Sequence, residues 1–353
     1  MYGKQVMLHD YSQYVRKRHI LGISLLILLL LVSLIALCTG PYPLTLYDII
    51  NALVGEGSKY SNLIIWGNRM PRIAASIIAG LSLAAAGTVM QCVLRNPLAS
   101  PFTIGISHGA AFGAAFAIIV LGAGEIKRAG EGIVIINPYV IPIFAFLGAL
   151  IGVAVILLLA RLRGLSPEAM ILAGVAMASL FSAATMLIQY FAEDIKVAAV
   201  VYWTFGDVGR AGWREIWLMI IVISPSMLYF IYRRWDYNAL ISGDETAISL
   251  GVNPEKVRLE SMLLASLVTA TCVSFLGIIG FIGLISPHIV RLISGGDHRF
   301  LIPLASMLGA LLLLSADTVG RTVMSPIVLP VGIITSFMGA PVFIYLLVRG
   351  GGR

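Results

Sequence analysis

Arg69 and Arg72 stand three residues apart, separated by Met70-Pro71. On a helix this spacing puts both guanidiniums on one face, about a turn apart. Such a pair attracts carboxylates, which arginine binds in a forked, bidentate geometry. A third arginine, Arg321, follows Asp317 by four residues, so the acid can orient it as a helical pair. After Arg72 come 22 uncharged residues and then Arg95-Asn96-Pro97-Leu98-Ala99-Ser100-Pro101. About 20 apolar helical residues span a bilayer core of about 30 Å. The arginine pair therefore belongs at one membrane face and the proline-bracketed break at the other.

Other residues with chemical potential are few. His108 sits among glycines and His288 follows Pro287. Either has the chemistry of an ion or haem ligand, but a lone membrane histidine more often satisfies a carbonyl or a neighbouring helix. Ion-coupled carriers keep buried acids along their pathway. Here only Asp317 and Glu168 qualify, which argues against an ion-coupled secondary transporter. An intramembrane enzyme built on either histidine would need a second catalytic group, and nothing in the sequence argues for one. No Gly-x-x-x-x-Gly-Lys-Ser/Thr phosphate loop is present. If ATP drives this protein, a separate subunit binds the ATP and Mg; the chain is expected to hold no cofactor or metal and not to be an enzyme.

The elements that position these residues follow from composition. Of 353 residues, 59% are apolar and 12% charged, against roughly 25% charged in soluble domains. The mean hydropathy is +0.96. Continuous apolar runs, rather than alternating ones, exclude a membrane barrel and predict an all-α, polytopic membrane protein forming a single domain. The net charge of +7 then sets topology and gives no sign of nucleic-acid binding. Cys38, Cys92 and Cys272 lack metal-ligand spacing and read as packing residues.

Charge-free runs mark spans at 20–38, 73–94, 96–124, 133–160, 169–192, 216–232, 261–290, 300–316 and 322–348. The 20–38 run reads as a first transmembrane helix rather than a signal peptide. The 261–290 run is too long for one span and contains Gly277, Gly280, Gly283 and Pro287. Splitting it there gives ten spans. With the N-terminus inside, 15 of the 24 basic residues fall on cytoplasmic segments, in keeping with the positive-inside rule. The chain is thus expected in the cytoplasmic membrane with residues 1–19 and both termini cytoplasmic. Arg69, Arg72 and Arg321 remain on the disfavoured outer face, together with Lys127 and Arg128 among others. Snorkelling to the interface is the plain explanation for the three arginines; a docking surface for an acidic external partner is the functional one.

Two connections predict structure of their own. Segment 193–215 reads as a short interfacial helix, with Trp203 and Trp213 at headgroup level. Segment 236–258 contains a short amphipathic helix opened by Asp244-Glu245 and closed by Gly251. Gly105, Gly109 and Gly113, and Gly148 and Gly152, recur every four residues and read as close helix packing rather than a ligand site.

In its motifs the chain resembles the permease subunits of ABC importers for iron-siderophore complexes, haem and vitamin B12. Those motifs are Arg69-Met70-Pro71-Arg72 with Gly80, Gly87, Gln91 and Asn96-Pro97-Leu98-Ala99; Gly105-Ile106-Ser107; Leu172-Ala173-Gly174; Leu250-Gly251-Val252; Gly280-Phe281-Ile282-Gly283-Leu284-Ile285 with Pro287-His288-Ile289 and Arg291, then Gly296-Asp297-His298-Arg299; and Asp317 and Arg321 with Leu329-Pro330-Val331-Gly332. The resemblance implies a ten-span, B12-permease-like homodimer with its pathway at the two-fold interface. It implies two ATP-binding cassette subunits inside, a substrate-binding protein outside, and alternating access. It places Arg69, Arg72 and Arg321 at the binding-protein dock. The coupling segment that meets the ATPase falls on Leu240, Gly243, Asp244, Glu245, Ala247, Leu250 and Gly251. Ser166, Pro167 and Glu168 fall near the cytoplasmic gate. A ferric siderophore leads the substrates by family frequency, beside vitamin B12, haem and molybdate-type oxyanions. One departure stands at Val328, where the family usually has Glu.

Overall fold

The computed structural model describes residues 2–123 and 139–350. Lys127, Arg128, Arg353 and the start of the 133–160 run lie outside the described residues. All regular structure among the described residues is helical. The chain opens with α1 (Tyr2–Cys38), α2 (Leu46–Val54) and α3 (Lys59–Ile64). A π-helical turn over Ile65–Arg69 then leads into α4 (Met70–Val93). There follow α5 (Ile106–Ile119), α6 (Val140–Arg161), α7 (Pro167–Tyr190), α8 (Asp194–Thr204) and α9 (Trp213–Tyr232). The second half comprises α10 (Arg234–Ile241), α11 (Asp244–Ser249), α12 (Pro254–Leu276), α13 (Ile282–Ser294), α14 (His298–Thr322) and α15 (Val331–Gly350).

Seven helices are long and apolar enough to cross a membrane, and three more apolar helices are shorter: Ile106–Ile119, Ile282–Ser294 and Val331–Val342. Together they account for the ten expected spans. The 261–290 run is divided where the glycines stand: α12 ends at Leu276 and Gly277 turns the chain at a φ of +78°. The 96–124 run corrects the expectation of a full-length span, because only Ile106–Ile119 is helical. Pro97 and Pro101 keep the preceding residues out of a helix. At 1.5 Å per residue, α5 covers about 21 Å, short of the bilayer core. Such non-helical backbone is tolerated at membrane depth where protein buries it or it lines a cavity.

Helix α4 is the hub, with most of its side chains buried among α14, α12, α13 and α9. Small residues let its neighbours approach. A Cβ added at Gly87 would lie 1.8 Å from the Gly283 carbonyl oxygen of α13. In the second cluster, a Cβ on Gly109 of α5 would lie 2.6 Å from the Gly148 carbonyl of α6. The four-residue glycine spacing thus serves packing, as expected. Helix α1 is peripheral: it lies along α14 and leaves Ile23, Leu26, Leu30 and Leu34 exposed, a lipid-facing stripe.

In the connections, Trp203 is 7% exposed, and its helix α8 packs against α5. Trp213 is partly exposed, and its indole N–H donates to the Trp66 carbonyl at 2.8 Å. Within segment 236–258 the expected short helix is α11; α10 precedes it across Ser242-Gly243, and α12 begins at Pro254. Cys92 and Cys272 are buried as packing residues, whereas Cys38 is exposed.

Candidate docking, coupling and translocation sites

The structure brings Arg69, Arg72 and Arg321 together at one end of the bundle and turns all three inward. They are 2%, 8% and 2% exposed. Arg72 of α4 donates to Asp317 of α14 through Nε at 3.2 Å and Nη2 at 2.7 Å, and to Asp207 at 2.9 Å. Arg321 donates from Nε to the other Asp317 oxygen at 2.9 Å, the helical pair read from the spacing. The remaining donors meet the end of α1. Arg321 donates to the Ala36 and Thr39 carbonyls at 3.2 and 2.9 Å. Arg69 donates to the Leu37 carbonyl at 2.6 Å and to that of Tyr42. The last carbonyls of a helix lack internal partners, and cations are favoured there. Two arginines from other helices therefore cap α1. In this structure the three guanidiniums are satisfied within the chain. Val328, in the turn between α14 and α15 at the same end, is partly buried.

The opposite end carries the second charge cluster. Helix α11 starts at Asp244, as its sequence signals. It closes with Gly251 at φ +82°, the Gly251 N–H on the Ile248 carbonyl and the Val252 N–H on that of Ala247, both at 2.9 Å. This double closure is a Schellman motif, which needs the left-handed conformation that glycine adopts freely. Asp244 accepts from Arg258 of α12 at 2.9 and 2.6 Å and also from Arg95. Hydrogen bonding to Arg258 holds the Asp244 carboxyl below the usual carboxylate range. Each arginine also caps a helix: Arg258 Nε donates to Val93 of α4, and Arg95 Nε to Leu240 of α10, both at 3.2 Å. Leu240 and Ala247 are buried beneath, while Glu245, Leu250 and Gly251 face outward. The expected coupling residues therefore divide into an anchored side and a presented side.

Arg95 also opens the non-helical stretch that leads to α5, and this stretch reaches a cavity of about 870 Å³. Leu98, Ser100, Phe102 and Thr103 line one side of it; Phe281, Leu284 and Phe337 are among those opposite. Among the described residues no charged side chain lines it. The stretch lining one side leads into α5 through Gly105, and α13 is entered through Phe281, both at positive φ. For the non-glycine Phe281 that conformation is strained, by roughly 1–2 kcal/mol.

Ser166 caps α7, accepting from the Ala169 N–H at 3.3 Å, with Pro167 in its first turn and Glu168 exposed. The neighbouring Gly164 lies beside Glu255, which places this turn at the Asp244 end. None of the three lines the cavity. His108 lies beside Phe102, with ring centroids 5.2 Å apart and the planes tilted by 46°. No group of three or more metal-ligating side chains occurs among the described residues. Sequence reasoning missed Asp207, Arg95 and Arg258 as functional partners. The Asp207 signal was the turn it caps, where it accepts from the Gly209 N–H at 2.8 Å.

A bundle of membrane-length helices with a cavity that no charged side chain among the described residues lines suits a membrane permease. The chain belongs to the FecCD transport family, which it matches over residues 27–349. It is 65% identical over 339 residues to a Methanocaldococcus jannaschii protein named as an ABC transporter permease, covering 96% of this chain and 97% of that one. It is 34% identical to a hemin transport system permease of Yersinia pestis, over 95% and 97% of the two chains. A vitamin B12 import system permease of Klebsiella pneumoniae is 35% identical over 96% and 95%. Among solved structures, a chain described as a metal-chelate type ABC transporter in an inward-facing conformation superposes with a TM-score of 0.79. That chain is 27% identical, and the match covers 94% of this chain and 99% of that one.

Proposed function

We propose that this chain is the membrane subunit of a binding-protein-dependent ABC importer, working as a homodimer with the 870 Å³ cavity on its two-fold pathway. Two ATPase subunits, carrying ATP and Mg, sit at the Asp244 end in the cytoplasm. A substrate-binding protein sits at the Arg69 end outside, and both termini are cytoplasmic. The observation that carries this reading is the unbroken link from α11 to the cavity. Asp244 grips Arg95 and Arg258; Arg95 opens the stretch whose residues 98–103 border the pathway, and Arg258 holds the end of α4. A push on the exposed face of α11 therefore reaches the cavity wall through the Asp244–Arg95 contact and the short stretch that follows Arg95.

The external partner meets the surface above the arginine core rather than the arginines themselves, whose role is to hold α1, α4, α14 and the Asp207 turn in register. Ser166-Pro167-Glu168 contributes to the gate by fixing where α7 starts.

The cargo is an iron complex or a related large metal chelate, with a ferric siderophore first and haem or vitamin B12 next. A wide wall without charge gives such a cargo no tight site, so selection falls to the binding protein. An ion-coupled carrier is less favoured: Asp317, the one fully buried acid among the described residues, is held by two guanidiniums and is not free to carry a proton.

The test is uptake into proteoliposomes with the cognate ATPase and binding protein, offering a ferric siderophore, hemin and cobalamin in turn. ATP-dependent accumulation of one of them is expected. Accumulation that needs only a proton or sodium gradient would overturn the reading.

A further inference from the structure

The longest sequence motif runs from Gly280 to Arg291 and continues through Gly296-Asp297-His298-Arg299. The fold accounts for most of it. Gly283 lets α13 lie on α4, Phe281 and Leu284 line the cavity, and Asp297 caps α14. Arg291 does none of these. It stands in the last turn of α13 and lines a second cleft, of about 560 Å³, between the end of α4, α10 and the turn before α14.

Four arginines around this cleft and on the neighbouring helices have carboxylate partners. Arg95 and Arg258 hold Asp244, Arg233 holds Asp236 and Glu260, and Arg299 holds Asp297. Arg291 has no ion pair among the described residues; its Nη2 donates to the Gln91 side-chain oxygen at 3.0 Å. Gln91 is buried, and its Nε2 donates to the Leu284 carbonyl at 3.3 Å, so its oxygen is fixed toward the guanidinium. A neutral amide orients the group and leaves its charge uncompensated. The acid that shares the cleft, Asp297, already accepts from Arg299 at 2.6 Å and from Asn238 at 2.9 Å. The cleft thus presents one oriented cation lacking an anion.

Resting on the reading above, we infer that Arg291 receives a carboxylate side chain of the ATPase subunit, in a forked contact separate from the α11 segment. A protein carboxylate fits better than a free anion because the cleft is continuous with the proposed coupling surface. Asn238 and Ile241 of α10 form its wall, and the exposed Ile241, Ile248 and Leu250 supply an apolar margin beside it. An arginine set within apolar surroundings is the composition of an interface hot spot.

The experiment is ATPase-subunit binding to the permease in nanodiscs, for wild type, Arg291→Lys, Arg291→Gln and Arg291→Glu, in zwitterionic lipid and again with anionic lipid added. The expected result is an affinity loss of about tenfold or more for Arg291→Glu. Arg291→Gln should lose less and Arg291→Lys least, with the same order in both lipids. A charge-reversed acid on the ATPase surface should restore binding to Arg291→Glu. If Arg291→Glu fails to fold, the Arg291→Gln affinity decides. Wild-type affinity in the glutamine and glutamate variants would overturn the inference, as would an effect confined to anionic lipid, which would make a lipid headgroup the occupant. Wild type that itself does not bind the ATPase would instead sink the underlying reading.

Discussion

At the Arg69 end, Asp317 is 1% exposed and holds two guanidiniums; at the other end, Asp244 is 40% exposed and also holds two. In both clusters an arginine reaches on to cap a helix terminus: Arg321 that of α1, and Arg258 and Arg95 those of α4 and α10. Chemically the two are alike, and burial sets them apart. Removing one member of a buried pair leaves an uncompensated charge and is severely destabilising. An exposed pair contributes little to stability because water replaces the partner readily. The Asp317 cluster therefore behaves as a fixed joint between helices. The Asp244 cluster can break and re-form, which suits an element that must transmit movement.

The contrast should appear first in stability. Asp317→Ala leaves Arg321 buried without an anion and Arg72 with Asp207 alone, and is expected to lose about 3–5 kcal/mol. Thermal unfolding in detergent should read this as a large fall in the midpoint or as failure to accumulate. A midpoint within a degree or so of wild type would dissolve the distinction between the two ends. Arg258→Gln comes next. Its side chain is nearly buried but its acid is not, so a loss of about 1–3 kcal/mol is expected, from the unpaired Val93 carbonyl and the slackened Asp244. The same midpoint measurement should rank it between Asp317→Ala and any change at Asp244.

The smallest effect concerns pH. The folded-state carboxyl of Asp244 lies below its ordinary value of 3.8. Its contribution is therefore fully present above that value and lost as pH falls through the lower, folded one. The midpoint difference between wild type and Asp244→Asn should stay constant from about pH 8 to pH 5 and shrink only below about pH 4. A change near neutrality would mean that another group controls the cluster.

What could be read from the chain was local. The ten apolar segments, the division after Leu276 and the start and stop of α11 are written in contiguous residues: charge gaps, Gly277, Asp244 and Gly251. The Asp317–Arg321 pair was legible for the same reason, being one helical turn. The inward turn of the arginines was not, because it depends on partners far along the chain. Arg72 and Asp317 are 245 residues apart, and Asp207 lies on a loop between them. The burial of Trp203 was not legible for the same reason, since it depends on how α8 packs on distant helices. Arg95 counted as a topological charge, since nothing beside it in sequence announces Asp244.

The central claim, that Asp244 joins α11 to the cavity wall, is tested most directly by the ratio of substrate imported to ATP hydrolysed in reconstituted transporter, wild type against Asp244→Asn. The account predicts that assembly and ATP hydrolysis persist while import per ATP falls about tenfold, because Arg95 and Arg258 lose their shared anchor. An unchanged ratio, with the folded variant still bound to its ATPase, would contradict it.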